Sequence, residues 1–219
     1  EQKDSRTTAI SQGSYRIYKE IDIWEKISHK IQQISQILVA EGLGPNDLAF
    51  NHKKLHEGPL GYIVENRIIK HVLLKEVLKS KYITFLDNTE VSEIQNEDIN
   101  DSLIKTSNKT LFYKLLVAAD GRFSSTRYHA NIKYFFHDYK QNAFVFNICH
   151  EEKHNGTALE RFFPTGPMAL LPMKSIKENK SSVVWTVDSS ISDNENFKKN
   201  FGEEFKIKYN DFFGKIKSI

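Results

Sequence analysis

Leu115-Leu116-Val117-Ala118-Ala119-Asp120-Gly121-Arg122-Phe123-Ser124-Ser125-Thr126-Arg127 is the stretch from which the fold is read. An apolar run ends in Asp-Gly and passes into a Ser/Arg segment. That is the pattern of a buried strand delivering a carboxylate to the carboxyl edge of a sheet, followed by a turn and a new helix. Open α/β sheets bind nucleotides at that edge. Gly121 lets the backbone turn sharply and leaves room for a ligand, and Ser124 or Ser125 can cap the helix that follows. The same residues also suit a buried strand with a polar turn and no ligand.

The rest of the chain narrows the setting. Its 219 residues suit one large or two small domains and are enough to bury a real core. Net charge is only +3 and the lysines alternate with acids, which argues against a nucleic-acid-binding face. Cys149 is the single cysteine, so neither an intrachain disulfide framework nor a thiolate zinc cluster is available. Its strand-like neighbours Phe146-Asn147-Ile148 predict a packed, inert thiol. No apolar run approaches the length of a membrane span and no signal peptide opens the chain. A cytoplasmic protein, with peripheral membrane association left open, is the expectation.

Hydrophobic periodicity predicts a helix over 7–21, with Ile10, Ser14, Ile17 and Ile21 on one side, and a hairpin of strands 34–41 and 47–52 around Gly42-Leu43-Gly44-Pro45. A second helix over 64–79 carries Val64, Ile68, Ile69, Val72, Leu73 and Val77 as one stripe. Strands are predicted at 83–86, 90–95, 102–106 and 111–119, then a short helix at 124–130. Longer antiparallel strands follow at 143–150, 158–163, 168–173 and 182–188, and a helix over 193–215 carries Phe197, Phe201, Phe205 and Phe212. Alternating α/β followed by a run of strands predicts an α+β or α/β fold. Its two intertwined domains would be a partial Rossmann-like one, 1–31 with 61–131, and an antiparallel β-sheet one, 32–60 with 132–219.

Asp120-Gly121 resembles the Asp-Gly motif of flavoprotein aromatic hydroxylases, whose aspartate lies near the FAD ribose and the path of the nicotinamide cofactor. Three further segments stand in matching order: Asp4-Ser5-Arg6-Thr7-Thr8-Ala9-Ile10-Ser11, Leu60-Gly61-Tyr62-Ile63-Val64-Glu65-Asn66-Arg67, and the run from Glu160 to Met173, followed by Ser182-Val183-Val184-Trp185. Together they resemble the ubiquinone-biosynthesis hydroxylases, FAD-dependent monooxygenases acting on polyprenylated phenols. The resemblance runs from Arg6 to about Trp185. It implies a partial FAD-binding domain beside a substrate-binding sheet, with NAD(P)H as reductant and O2 as oxidant. The family opens with G-x-G-x-x-G and closes with a second Gly-Asp motif. Neither occurs in these residues, since Pro45 spoils the nearest glycine pair, Gly42 and Gly44. The expectation is an internal fragment that by itself holds FAD poorly or not at all.

The resemblance assigns site residues. Arg6 would lie against the FAD phosphate and adenosine region, Glu1 would take the ribose hydroxyls as the acid closing a strand, and Arg67 would touch the flavin side. Asp120 and Gly121 would face the ribose, and Arg127 would pair with Asp120 or with a phosphate. Phe163, Pro164, Gly166 and Pro167 would line the ring pocket, with Phe162, Met168 and Leu170 as apolar walls, some of them ordinary core. No side chain need act as nucleophile, because the flavin carries the chemistry. His150-Glu151-Glu152-Lys153-His154 fits H-E-x-x-H, but it follows a β-rich run and enters Asn155-Gly156, a hairpin turn. No metal site is therefore expected there, and His52 and His56 read as solvated. Two rival readings share these residues: a non-catalytic remnant that binds a partner or lipid, and a flavin hydroxylase of a small soluble aromatic.

Overall fold

A computed structural model describes residues 4–55, 58–95 and 102–219. It contains two compact units, one joining the residues up to Lys79 with Asp138–Ile219, the other Ser80–His137. The first unit opens with strand β1 (Thr7–Ile10) and helices α1 (Gln12–Glu20) and α2 (Trp24–Ile27). Strands β2 (Gln32–Ile34), β3 (Gln36–Glu41) and β4 (Asn46–Asn51) follow, then the helical turn α3 (His52–Leu55), strand β5 (Gly61–Glu65) and helix α4 (Asn66–Lys79). Ser80–His137 contains β6 (Val91–Gln95), β7 (Leu103–Thr106), β8 (Thr110–Phe112) and helix α5 (Ser125–His129). The chain then returns through β9 (Gln141–His150), β10 (Thr157–Phe163), β11 (Gly166–Pro172), β12 (Asn179–Asp188), α6 (Ser189–Ser192), α7 (Glu195–Tyr209) and β13 (Ile216–Ser218). The fold class is the expected one, mixed α/β with antiparallel sheets.

Several expected elements are redrawn. Residues 7–21 are not one helix: Thr7–Ile10 pair antiparallel with Tyr62–Glu65. The β-branched Thr7 and Thr8 suit that ladder. Ser11 then starts α1 by accepting the Ser14 N–H at 3.3 Å. Val64 and Glu65 likewise complete β5, and the helix expected from residue 64 begins at Asn66. No strand forms over 83–86. The run 115–119, expected as a buried strand, has no ladder partner among the described residues, and Leu115 and Val117 are 80% and 74% exposed. Strand β8 stops at Phe112, the Tyr113 N–H turns back to the Ser102 carbonyl, and no described strand offers the next residues a row of backbone groups. An apolar sequence supplies the side chains of a strand but not its neighbour.

The first unit holds two sheets. One is three-stranded, in the order β1-β5-β2; the other is seven-stranded, in the order β13-β9-β12-β11-β10-β3-β4, with only the β3–β10 pair parallel. The predicted hairpin is present as β3–β4, with Leu38 opposite Ala49. Alternation assigns one face of the large sheet to the core: Leu159, Met168, Leu170, Val183, Trp185 and Ile148 are all buried there. Helix α7 covers that face with Phe197, Phe201, Phe205 and Tyr209 at helical spacing. Phe201 stands 5.0 Å from Phe144 and 5.2 Å from Trp185, ring centre to ring centre. The helix ends sooner than the expected 193–215, because Asn210 and Asp211 are both left-handed (φ 50° and 46°). Phe212 thus lies beyond it.

The buried Arg161 donates from Nη1 to the Lys208 carbonyl at the end of α7, where a cation suits the helix dipole. Phe205 is fully buried between Phe146, Trp185 and Tyr209. Replacing it with alanine removes a core ring and leaves a cavity. Phe205→Ala should therefore lower unfolding free energy by about 3–5 kcal/mol in urea titrations.

Candidate functional site

Asp120 sits in the Ser80–His137 unit as the hub of a capping network. It accepts from Ser124 Oγ at 2.5 Å and from the Thr126 N–H at 3.0 Å, while Ser124 Oγ accepts the Arg127 N–H at 2.9 Å. These donors, the Ser124 hydroxyl first, hold the Asp120 carboxyl well below the usual carboxylate range. Gly121 adopts φ 83°, and a Cβ there would meet open space, so its backbone conformation rather than crowding calls for glycine. Beside the network lies a cavity of about 880 Å³ lined by Arg122, Phe123, Ser124, Arg127, Tyr128 and Tyr134 among others. Asp120 reaches this cavity only through Ser124. The Arg127 guanidinium does not pair with Asp120: it donates to the Arg122 carbonyl and lies 4.1 Å over the Tyr134 ring.

Arg6 and Arg67 come together in the other unit, where the Asn66 N–H at the start of α4 donates to the Arg6 carbonyl at 2.9 Å. Each already holds a carboxylate. Arg6 grips Asp4 through Nε and Nη2, both at 2.9 Å; Lys70 adds a third contact to Asp4 at 3.1 Å; and Arg67 Nε meets Glu65 at 2.7 Å. Arg6 first and then Lys70 hold the Asp4 carboxyl far down, and the Asp4 carboxylate in turn pushes the Arg6 guanidinium up. The edge keeps a net positive charge, because Asp4 serves two cations. Glu1 lies outside the described residues.

The large sheet separates the ring-pocket candidates. Met168 and Leu170 lie on the α7 side with no exposure and are core, not pocket wall. Phe163 also packs toward that core, under the Lys208 ammonium at 4.4 Å. Pro164 is exposed in the turn, and Gly166 is buried at φ 128°, where a Cβ would collide with the Thr186 carbonyl. Pro167 and Phe162, paired across β10 and β11, share the other face.

Sequence reasoning missed the centre of that face. Directly opposed residues place Leu48, Val39, Glu160, Ala169, Val184 and Val145 in one row across adjacent strands. Below this row the face is covered, since Ile37, Ala158, Leu171 and Met173 pack with Ile34, Ile63 and Leu60. At the row itself Leu48 and Val145 remain exposed. Strict alternation along Thr157–Phe163 was the available signal, because it puts Glu160 opposite the core side chains Leu159 and Arg161.

No family model matches the chain. Ubiquinone hydroxylase UbiL of Rhodospirillum rubrum is 33% identical over 188 residues, 86% of this chain and 43% of UbiL. Ubiquinone hydroxylase UbiM of Neisseria meningitidis is 30% identical over 191 residues, 85% of this chain and 41% of UbiM. Over most of its length the chain is similar to the ubiquinone-biosynthesis hydroxylases. It spans less than half the length of these relatives. Among solved structures, PqsL of Pseudomonas aeruginosa, described as a probable FAD-dependent monooxygenase, matches all of this chain and 64% of its own length with a TM-score of 0.74. At 12% identity that likeness is one of fold alone.

Backbone shape explains Gly166: Pro164 and Thr165 turn β10 into β11, and Gly166 opens β11 hard against β12 at the Thr186 carbonyl. Gly166→Ala should lower unfolding free energy by about 1–3 kcal/mol, since the residue combines a left-handed φ with a blocked Cβ. A loss below about half a kcal/mol in urea titrations would show that the hairpin simply gives way.

The H-E-x-x-H segment forms no helix; His150 ends β9 and His154 lies in the following turn. His150 bonds the Glu152 carbonyl through Nδ1 and the Ser181 hydroxyl through Nε2; His154 bonds the Met173 carbonyl through Nε2 and accepts the Gly156 N–H at Nδ1. In His154 this makes Nε2 the donor and Nδ1 the acceptor, the pattern of a neutral imidazole; in His150 Nδ1 faces a carbonyl and so donates, while the Ser181 hydroxyl at Nε2 can accept or donate. Among the described residues no three His, Cys, Asp or Glu side chains are grouped to hold a metal. Cys149 is half-buried rather than packed, and its thiol donates to Glu178 at 3.2 Å.

Burial pushes both imidazoles below their usual value. The unfolded chain then binds protons that the folded chain refuses, so stability is full above about pH 6.5 and falls as acid is added. The urea midpoint should drop between pH 7.5 and 5.5, and His154→Gln should flatten that slope. An unchanged slope in the variant would remove His154 from the account.

Proposed function

We propose that the intact protein is an FAD-dependent monooxygenase that adds one oxygen atom to the ring of a polyprenylated phenol in ubiquinone biosynthesis, using NAD(P)H and O2. The observation that carries this reading is the similarity to a ubiquinone hydroxylase over 86% of the chain. In the proposed division the cofactor half comprises 1–31 with 61–131 and the substrate half 32–60 with 132–219.

The residues present fit part of FAD. Around one cavity the Ser80–His137 unit offers two guanidinium groups and the faces of Phe123, Tyr128 and Tyr134, a set suited to an anionic aromatic dinucleotide. Asp120, held ionised by its donors, fixes Ser124 and the start of α5 beside that cavity, and Gly121 leaves approach space. On the other unit Arg6 and Arg67 offer cations at the start of α4, where an anion is favoured. No glycine-rich phosphate cradle lies in these residues, so that part of the cofactor gains no support from them. FAD when bound supplies the redox chemistry; the side chains here bind, orient and exclude water.

For the substrate, the open row of the large sheet offers an apolar platform with Phe162 and Pro167 at its rim. Gly166 and Phe163 act through the shape of the hairpin behind it. The prenyl tail argues for a cytoplasmic enzyme that meets its substrate at a membrane surface. No described helix is long and apolar enough to cross one.

Intact protein supplied with FAD, NADPH, labelled oxygen gas and a short-chain prenylphenol should yield a phenol carrying one labelled oxygen. NADPH oxidation without labelled product would overturn the reading. Arg127→Ala should weaken FAD binding, followed by flavin fluorescence, by about tenfold or more, the scale of one hydrogen bond to a charged group.

A further inference from the structure

Glu160 is anomalous on its face. Its cross-strand neighbours are Ala169 and Val39, and the next residues in the row are Val184 and Leu48. It is half-buried, and its carboxyl has no hydrogen-bond or ion-pair partner among the described residues. Of the carboxylates for which a clear displacement is seen, Asp4, Glu76, Glu93, Asp120 and Asp188 are drawn down by donors; Glu160 alone is pushed up, and burial is the cause. An ionisable group set into apolar surface without a partner is unfavourable. Residues that break local rules in this way collect at functional sites.

A structural role does not account for Glu160. Among the described residues it caps no helix, bridges no strands and joins no charge network. The polar residues nearest in sheet register lie one row away, Glu41 on β3 and Thr186 on β12 to one side, Ser182 on β12 and Asn147 on β9 to the other, and the buried Ser182 hydroxyl and Asn147 Oδ1 also lack partners among the described residues. What the row lacks is a donor. A flat apolar ring carrying one hydroxyl supplies both the contact that Val39, Ala169 and Val184 can make and the donor that Glu160 can use.

We propose that Glu160 is the ring-hydroxyl acceptor of this protein: its carboxylate takes the hydrogen bond of a phenol lying on the Val39–Ala169–Val184 face and so fixes which edge of the ring is presented for reaction. This rests on the phenol reading given above and adds the residue that selects for the hydroxyl. A carboxylate accepts but cannot donate, and an O–H···O⁻ bond is shorter and about twice as strong as a neutral one. A neutral donor also enters an apolar surface with less desolvation than a cation does.

The test compares para-hexylphenol with its methyl ether, para-hexylanisole, which keeps the ring and tail but has no donor. Calorimetric titration into the intact protein should show the phenol binding about tenfold tighter or more, the scale of a hydrogen bond to a charged group. Glu160→Leu should reduce the preference to within about twofold, leave ether affinity unchanged or improved, and leave the melting temperature unchanged or raised, because a partnerless acid has gone. Glu160→Gln, which keeps a weaker neutral acceptor, should fall between the two. Equal binding of both probes by the wild type, or a preference surviving in Glu160→Leu, overturns the role of Glu160 and leaves the phenol reading standing. Binding of neither probe overturns both.

Discussion

One face of the large sheet is sealed by α7, and the use of the other face follows from that asymmetry. Phe197, Phe201 and Phe205 reach Trp185, Phe144 and Phe146, and Phe205 carries the contact on to Tyr209, so one face of the sheet is backed by a continuous aromatic layer. Aromatic pairs of this kind add stabilisation beyond the area they bury. The three-stranded sheet covers part of the opposite face through Ile34, Ile63 and Leu60, and the Asn147 amide ties it to the Ser5 carbonyl at 2.9 Å. What remains is a shelf of β-branched and small residues rather than a closed core. Contiguous exposed apolar surface on a folded protein generally marks a site of binding.

Charge is handled in the opposite way at the proposed cofactor contacts. Arg6 and Arg67 are each engaged by a neighbouring carboxylate, and Asp120 is engaged by hydroxyl and amide donors. Such arrangements fix side chains in one geometry before any ligand arrives, which lowers the ordering entropy that binding must overcome. Exposed ion pairs of this type add little to stability. Their contribution lies in aim. The Arg127 guanidinium, held over Tyr134 and by the Arg122 carbonyl, shows the same economy of motion without a counter-charge.

Much of this was legible in the sequence. The β3–β4 hairpin, β9 to β12 and α5 follow from alternation and turn residues, because their patterning and their tertiary partners agree. Failures came where a partner strand decides the outcome. Thr7–Ile10 looks helical by spacing but becomes a strand because β5 lies beside it. Residues 115–119 look like a strand but lack any described neighbour, so their apolar character does not produce a ladder. The helix over 193–215 was overextended because nothing in the spacing announces that Asn210 and Asp211 take left-handed backbone. Met168 and Leu170 were offered with Phe162 and Phe163 as apolar walls, part of that set being expected as ordinary core; only register assigns these two to the α7 side. Glu160 escaped notice because it reads as an ordinary strand acid until its cross-strand neighbours are known to be Val39 and Ala169.

Asp120 and Glu160 carry the same functional group in contrary surroundings. Asp120 gathers a hydroxyl and an amide donor and is held ionised, so its charge is spent on organising a helix start. Glu160 receives no donor and sits among apolar side chains, so its acceptor capacity stays unspent and its proton is bound more tightly. Environments that push like groups apart in this way separate roles. A carboxylate saturated by its own chain has little left to offer a ligand. One left unsatisfied on an apolar shelf is complementary to whatever brings both a flat ring and a donor, and a phenol is the simplest molecule that does.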